Sequence, residues 1–235
     1  MTLRPIEPVQ HTAAKVAGFL YLLTLVISLF AELYLRDPLL VRGDAAQTAR
    51  NIVASERQFR ISIVSGLMAV AGDIILLVAL YVALKPIGRN LALLAAFWLL
   101  TKSALFAIMA LNDFVALSLL SGADYLRPFD TSQLQALARM FVTVRHAAGL
   151  IGGVFWGLGS TVFAYLWWKS RYIPRGLAGW GIFSSLALAI GILAIMVFPG
   201  LASLVGPAYF VPIMIFEIAL GVWLLVKGIQ SPGIE

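Results

Sequence analysis

Three ionisable side chains lie inside otherwise apolar stretches of the chain, and together they could perform acid–base chemistry. Asp73, Lys102 and Glu217 each stand near the middle of such a stretch. A charge near the centre of a lipid bilayer costs about 2.5–3.5 kcal/mol on insertion scales, so it usually has a partner and often a function. The pattern therefore predicts a polar site at the depth of the membrane midplane.

The positions of Asp73 and Lys102 predict an ion pair between neighbouring helices. Asp73 lies 12 residues before Lys85, and Lys102 lies 12 residues after Asn90, with a short basic turn expected at 85–90. At a rise of 1.5 Å per residue, both lie about 18 Å from that turn. Pairing would remove much of the cost of burying either charge. The pair has two interpretations: it fixes helix packing, or it lines a polar cavity.

Glu217 has no obvious partner within its own helix, so a partner is expected from elsewhere. The alternatives are Lys102, the carboxyl of Asp73 with one of the two acids protonated, a cationic or hydroxylic ligand, or a backbone carbonyl that accepts from a neutral Glu217. Glu32 differs because it lies one turn from the end of its apolar stretch. We expect it at the membrane rim.

Two basic side chains stand at the start of the fourth apolar stretch, which contains Gly149, Gly153 and Gly157. Glycines at four-residue steps allow another helix to approach closely. Arg145 and His146 precede Gly149 by four and three residues, so both are expected on that crowded face. Arg145 is a candidate ligand-binding residue. His146 is either an interfacial hydrogen-bonding residue or a proton carrier, because histidine changes its charge near neutral pH.

The composition indicates a membrane protein and excludes several other classes. The 235 residues are 61% hydrophobic and 12% charged, with a mean hydropathy of +0.96. The chain has no cysteine and two histidines, so we expect no metal site, and no motif indicates a cofactor. Its net charge of +6 comes from basic residues at segment ends, which favours the lipid bilayer as partner and not nucleic acid. The oligomeric state is left open.

Six stretches are long and apolar enough to cross a membrane. They are Val16–Leu35, Ile61–Leu84, Leu91–Leu111, Ala147–Trp168, Leu177–Phe198 and Leu204–Val226. The sequence therefore predicts an all-α fold: a polytopic membrane helix bundle with six transmembrane helices, forming a single bundle over residues 1–235.

The two long connections each contain a predicted amphipathic helix. Asp44 and Asp130 are expected N-caps, because Gln47 and Gln133 follow at the capping-box spacing. Apolar residues then recur at helical spacing from Leu134 to Val144. We expect this second segment to lie on or against the bundle before turning into the fourth span. It has two interpretations, a membrane-surface helix or a lid over a cavity.

The short connections set the predicted orientation. Positive-inside bias acts most clearly through short loops beside helix ends. Basic residues are concentrated in two such loops, at Lys85, Arg89, Lys169, Arg171 and Arg175. This predicts a location in the bacterial cytoplasmic membrane with both termini on the cytoplasmic side.

Several short motifs occur in a recognisable order along almost the whole chain. They are the run Ala17–Leu23, Gly43-Asp44 with Ala49 and Asn51-Ile52, Phe59-Arg60, His146 with Gly149, Phe155-x-Gly157, the run Ser170–Gly176, and Glu217 with Leu224–Gly228. This order resembles the bacterial membrane family catalogued as domain of unknown function 4386. The resemblance implies a small multi-pass membrane protein and no particular activity. Lys102 has no counterpart in the family pattern.

The residues support three hypotheses about function. In the first, a midplane polar site of Asp73, Lys102 and Glu217 fixes helix packing and binds a small or lipidic ligand. In the second, the chain is an intramembrane enzyme that uses Asp73, Glu217 or His146 in acid–base chemistry on a lipid or isoprenoid. The third is a proton-coupled transporter, for which broken helices in corresponding halves would be expected.

Overall fold

The all-α class predicted from the sequence is confirmed. The computed structural model describes residues 6–230, apart from the side chains of 204–207, and contains no strand within that range. The α-helices in chain order are α1 (Pro8–Phe30), α2 (Ala45–Ala54), α3 (Glu56–Leu119), α4 (Thr131–Ser170), α5 (Arg175–Val197), α6 (Gly200–Val205) and α7 (Val211–Val226). A π-helical turn, Ala31–Arg36, continues α1, and three short 3-10 turns lie at Asp37–Leu39, Asp124–Leu126 and Gly206–Phe210.

Five helical segments are long and apolar enough to cross a membrane, which makes the chain an integral membrane protein. They are Pro8–Leu39, Glu56–Leu119, Thr131–Ser170, Arg175–Val197 and Ala208–Val226. Many large apolar side chains on these segments are exposed, among them Val26, Phe97 and Ile190. Lipid would cover such side chains in a membrane.

The six predicted spans correspond to these five segments because α3 contains two of them. Its 64 residues would extend about 96 Å as a straight helix, three times the thickness of a bilayer core. Gly88 has non-helical backbone angles, two residues after Pro86. Asp73 and Lys102 touch although 29 residues separate them, so the two arms on either side of Gly88 fold back on each other.

For each predicted capping box, one of its two side-chain hydrogen bonds is found. The Asp44 side chain accepts a hydrogen bond from the backbone N–H of Gln47 at 2.8 Å and starts α2. The Gln133 side chain accepts from the backbone N–H of Asp130 at 3.1 Å at the start of α4. The amphipathic segment that follows does not turn before the fourth span, because α4 is one continuous helix of 40 residues.

The chain divides into two compact units. Unit 1 comprises Met1–Leu23, Gly72–Ser103 and Leu150–Glu235, and unit 2 comprises Thr24–Ala71 and Ala104–Gly149. That residues 1–235 form a single bundle stays a prediction, and the first five and last five residues of that range lie outside the described part of the chain.

Close backbone contacts set the packing within unit 1. Gly18 of α1 lies against Gly221 of α7, where a Cβ atom on Gly18 would lie 2.8 Å from a backbone oxygen. A Cβ atom on Gly157 of α4 would likewise lie 2.7 Å from the carbonyl oxygen of Ser185 in α5. The expected role of glycines in the fourth span is therefore present at Gly157. Gly149 belongs to unit 2, where it faces the side chain of Met109 of the same unit.

Unit 2 has two apolar clusters of its own. One joins the end of the first membrane segment to α2 and α3, with Leu39, Ile52 and Phe59 buried. The other packs Ala138 and Val142 of α4 against Ala116 of α3. The amphipathic segment after Asp130 therefore uses its apolar face to pack against α3.

Candidate functional site

The polar site of unit 1 is built around an ion pair inside α3. The Lys102 Nζ atom lies 2.6 Å from Oδ2 of Asp73, and their side chains are 11% and 14% exposed. Asp73 stands on the first arm of the helix and Lys102 on the second. The ion pair predicted from their matched depths is present, and it ties the two arms together.

Trp156 links this ion pair to Glu217. Its indole Nε1–H donates a hydrogen bond to Oε1 of Glu217 at 2.8 Å. The Lys102 ammonium lies 5.2 Å from the centre of the same ring, within the range of a cation–π contact. The structure therefore brings the three predicted residues together, with Glu217 buried at 8% exposure. We call Asp73, Lys102, Trp156 and Glu217 the unit 1 polar site.

Aromatic side chains surround one side of this site. Trp156 stacks on Phe210 with ring centres 6.0 Å apart, and Phe210 contacts Tyr209 at 4.2 Å. Tyr21 of α1 is buried in the apolar core of the same unit. Trp156 was not predicted as a site residue, although it stands next to Gly157 and on the glycine-containing face of the fourth span.

The charges of the unit 1 polar site do not balance when all its members are ionised. It contains two carboxylates, Asp73 and Glu217, and one ammonium, Lys102. Lys102 forms its ion pair with Asp73 and also attracts Glu217 electrostatically. Within the described part of the chain, the neutral indole of Trp156 is the hydrogen-bond donor found for Glu217. The site can therefore accept one further positive charge, as a proton or as a cationic group.

Unit 2 contains a second charged cluster, a closed ring in which two guanidiniums alternate with two carboxylates. Arg145 Nη2 lies 2.6 Å from Oε2 of Glu32, and Arg145 Nε lies 2.6 Å from Oδ2 of Asp113. Arg36 closes the ring, with contacts of 3.2 Å to Glu32 and 3.3 Å to Asp113. We call these four residues the guanidinium–carboxylate ring.

Only part of this ring was predicted from the sequence. Arg145 was a candidate ligand-binding residue, and Glu32 was expected at the rim, where its side chain is 39% exposed. Arg36 and Asp113 were missed because they lie just outside the predicted spans, at positions where charged residues are common. Each is nevertheless buried, Arg36 at 6% and Asp113 at 3% exposure of the side chain.

His146 follows Arg145 but does not join the ring. Its side chain is exposed, and no hydrogen bond or ion pair to it is found among residues 6–230. The same range contains no group of three or more histidine, cysteine, aspartate or glutamate residues that could hold a metal ion. The catalytic and ligand-binding roles of Asp73, Lys102, Arg145, His146 and Glu217 stay predictions.

Comparison with known proteins identifies the family. No curated protein and no solved structure matches the chain. One family model does match, over residues 16–228, and its description is "Domain of unknown function (DUF4386)". The match covers most of the chain and both charge clusters. The chain therefore belongs to the family of domain of unknown function 4386, as the order of its sequence motifs predicts.

Proposed function

We propose that the unit 1 polar site has two roles in this integral membrane protein. The Asp73–Lys102 ion pair fixes the packing of the two arms of α3. Glu217 binds a small or lipidic ligand through a cationic or hydroxyl group of that ligand. The two roles are separable because the ion pair and Glu217 are joined through Trp156 and not by a direct hydrogen bond.

The bonding of Glu217 is the observation that supports the ligand role. A carboxylate has room for about four hydrogen bonds. Glu217 is buried, yet the one donor found for it in the described part of the chain is the Trp156 indole. Burying a carboxylate with so few partners is costly, and a structural hydrogen bond to an indole would need no acid. A ligand that donates to Glu217 would offset this cost.

The aromatic neighbours support a ligand with an organic cation or a hydroxyl group on an apolar body. Tyr209 and Phe210 extend the aromatic surface from the Trp156 ring. Aromatic faces attract organic cations, and a nearby carboxylate adds a full opposite charge. The same surface packs well against an acyl or isoprenoid chain.

We also propose a location in the bacterial cytoplasmic membrane with both termini on the cytoplasmic side. The basic residues of the two short connections support this orientation, since all five are exposed: Lys85, Arg89, Lys169, Arg171 and Arg175. Arg175 also lies over the ring of Trp168 at 5.8 Å, a pairing typical of the membrane interface.

The substitution Glu217→Gln tests the ligand role. Glutamine keeps the shape and accepts the Trp156 hydrogen bond, but it cannot take up a proton or balance a cation. We expect a variant that inserts and melts like the parent in mild detergent and that loses the small-molecule adducts which native mass spectrometry resolves on the parent. The matched control is Glu56→Gln, which removes a carboxylate that is 51% exposed.

Two results would contradict the proposal. A variant that keeps the same adducts at the same occupancy would show that Glu217 does not hold them. A variant that fails to fold would show that Glu217 is a structural partner of Lys102 instead.

A further inference from the structure

In the guanidinium–carboxylate ring, Arg36 and Arg145 together have the geometry of an anion-binding site, and the Glu32 carboxylate of the same chain occupies it. We call these two arginines the clamp. Three N–H groups of Arg36 and Arg145 converge on the Glu32 carboxylate. Arg145 Nη1 and Nη2 lie 3.1 Å from Oε1 and 2.6 Å from Oε2, and Arg36 Nη1 lies 3.2 Å from Oε1. Planar guanidinium forks match the oxygen spacing of carboxylates and phosphates alike.

Both guanidiniums are held by Asp113, so their positions do not depend on Glu32 alone. Arg145 Nε donates to Oδ2 of Asp113 at 2.6 Å, and Arg36 Nε donates to the same oxygen at 3.3 Å. The Asp113 side chain is 3% exposed. If the Glu32 side chain swings away, both arginines keep a buried counter-ion, and their three converging N–H groups become available.

Glu32 is the member of the ring that can leave. Its side chain is 39% exposed, while those of Arg36, Asp113 and Arg145 are 6%, 3% and 13% exposed. It stands in the π-helical turn Ala31–Arg36, a rare conformation that occurs frequently at functional sites. The other nearby carboxylate, Asp37, lies 3.9 Å from Arg36 Nη1, beyond hydrogen-bond distance.

The surroundings of the clamp favour a ligand at the membrane surface. Arg36 is the first basic residue after the apolar stretch 16–35. Phe30 and Tyr34 stack with ring centres 5.7 Å apart, and both are exposed, as is Leu33. An aromatic pair beside an arginine at the end of an apolar helix is typical of the headgroup level of a bilayer.

We propose that Arg36 and Arg145 bind a phosphate group, and that the Glu32 carboxylate occupies the clamp until the phosphate displaces it. The phosphate belongs to a phospholipid headgroup or to a soluble phosphate compound. This site lies in unit 2 and is separate from the ligand role proposed for Glu217. Removing Glu32 should therefore strengthen binding, whereas a purely structural ion pair predicts no gain in phosphate affinity.

The test measures the affinity of the purified full-length protein for two probes. One is fluorescent phosphatidylglycerol in detergent micelles, with phosphatidylcholine as the background lipid, and the other is inorganic phosphate, followed by thermal shift. If Glu32 occupies the clamp about nine-tenths of the time, Glu32→Gln should tighten apparent binding about tenfold. Glu56→Gln, which removes one exposed carboxylate of the same unit, should leave both affinities unchanged.

A second variant separates a clamp from diffuse attraction. Arg145→Lys in the Glu32→Gln background keeps the charge but lacks the planar fork, so the gain in affinity should be lost. A gain for phosphatidylglycerol alone identifies a lipid headgroup, and a gain for inorganic phosphate identifies a soluble compound. The proposal is wrong if Glu32→Gln binds no better than Glu56→Gln, if the lysine variant keeps the gain, or if Glu32→Gln fails to fold.

Discussion

Substitutions in the Asp73–Lys102 ion pair should destabilise the protein by unequal amounts. Lys102→Met leaves two buried carboxylates, Asp73 and Glu217, without their cation, and an uncompensated buried charge costs about 3–5 kcal/mol. Asp73→Asn leaves Lys102 near Glu217 and 5.2 Å from the Trp156 ring centre. Lys102 then keeps partial compensation, so we expect a smaller loss.

The double variant Asp73→Asn/Lys102→Met should be less destabilised than Lys102→Met alone, because only one carboxylate remains without a cation. The free energy of unfolding can be measured by titrating the protein with SDS in mixed micelles. Glu56→Gln is the control, because Glu56 and Arg60 form an exposed pair, worth at most about 1 kcal/mol. Losses that simply add in the double variant would refute the coupling, and a greater loss for Asp73→Asn than for Lys102→Met would refute the part assigned to Glu217.

Two further predictions concern packing and orientation. Gly157→Ala should cost about 1–3 kcal/mol of unfolding free energy, because its Cβ would lie 2.7 Å from the carbonyl oxygen of Ser185. Gly191→Ala should cost less, because a Cβ there would meet no atom beyond its own helix within 4 Å. Equal losses of stability in the two variants would show that close packing at Gly157 does not matter. A reporter fused after Glu235 should behave as cytoplasmic and one inserted near Asp124 as external, and the reverse result for both would overturn the orientation.

The Asp73–Lys102 part of the unit 1 polar site could be predicted from the sequence because one short turn joins the two helical arms that carry these residues. Asp73 and Lys102 lie at equal distances from one turn, and helix geometry converts equal sequence distance into equal depth. Glu217 was predicted as a site residue because a mid-span acid is rare. Its contact with Trp156 could not be derived, since it depends on how α4 and α7 pack, and the sequence does not give that arrangement.

The guanidinium–carboxylate ring was harder to predict because its members come from three distant segments. Asp113 lies two residues beyond the predicted third span, and Arg36 one residue beyond the first. Charges at such positions are ordinary, so composition gave no reason to pair them. The continuity of α4 was also missed. Its residue pattern changes from amphipathic to wholly apolar along the helix, and this change reports what surrounds the helix and not where the helix ends.

The most direct test of the ligand role of Glu217 is an experimental density map of the protein in a lipid environment, compared with that of Glu217→Gln. We predict non-protein density within hydrogen-bond distance, about 3 Å, of the Glu217 carboxylate and beside the Trp156 ring, and none at this place in the variant. A map in which protein groups alone surround the Glu217 carboxylate, with the same packing in both proteins, would contradict the proposed function.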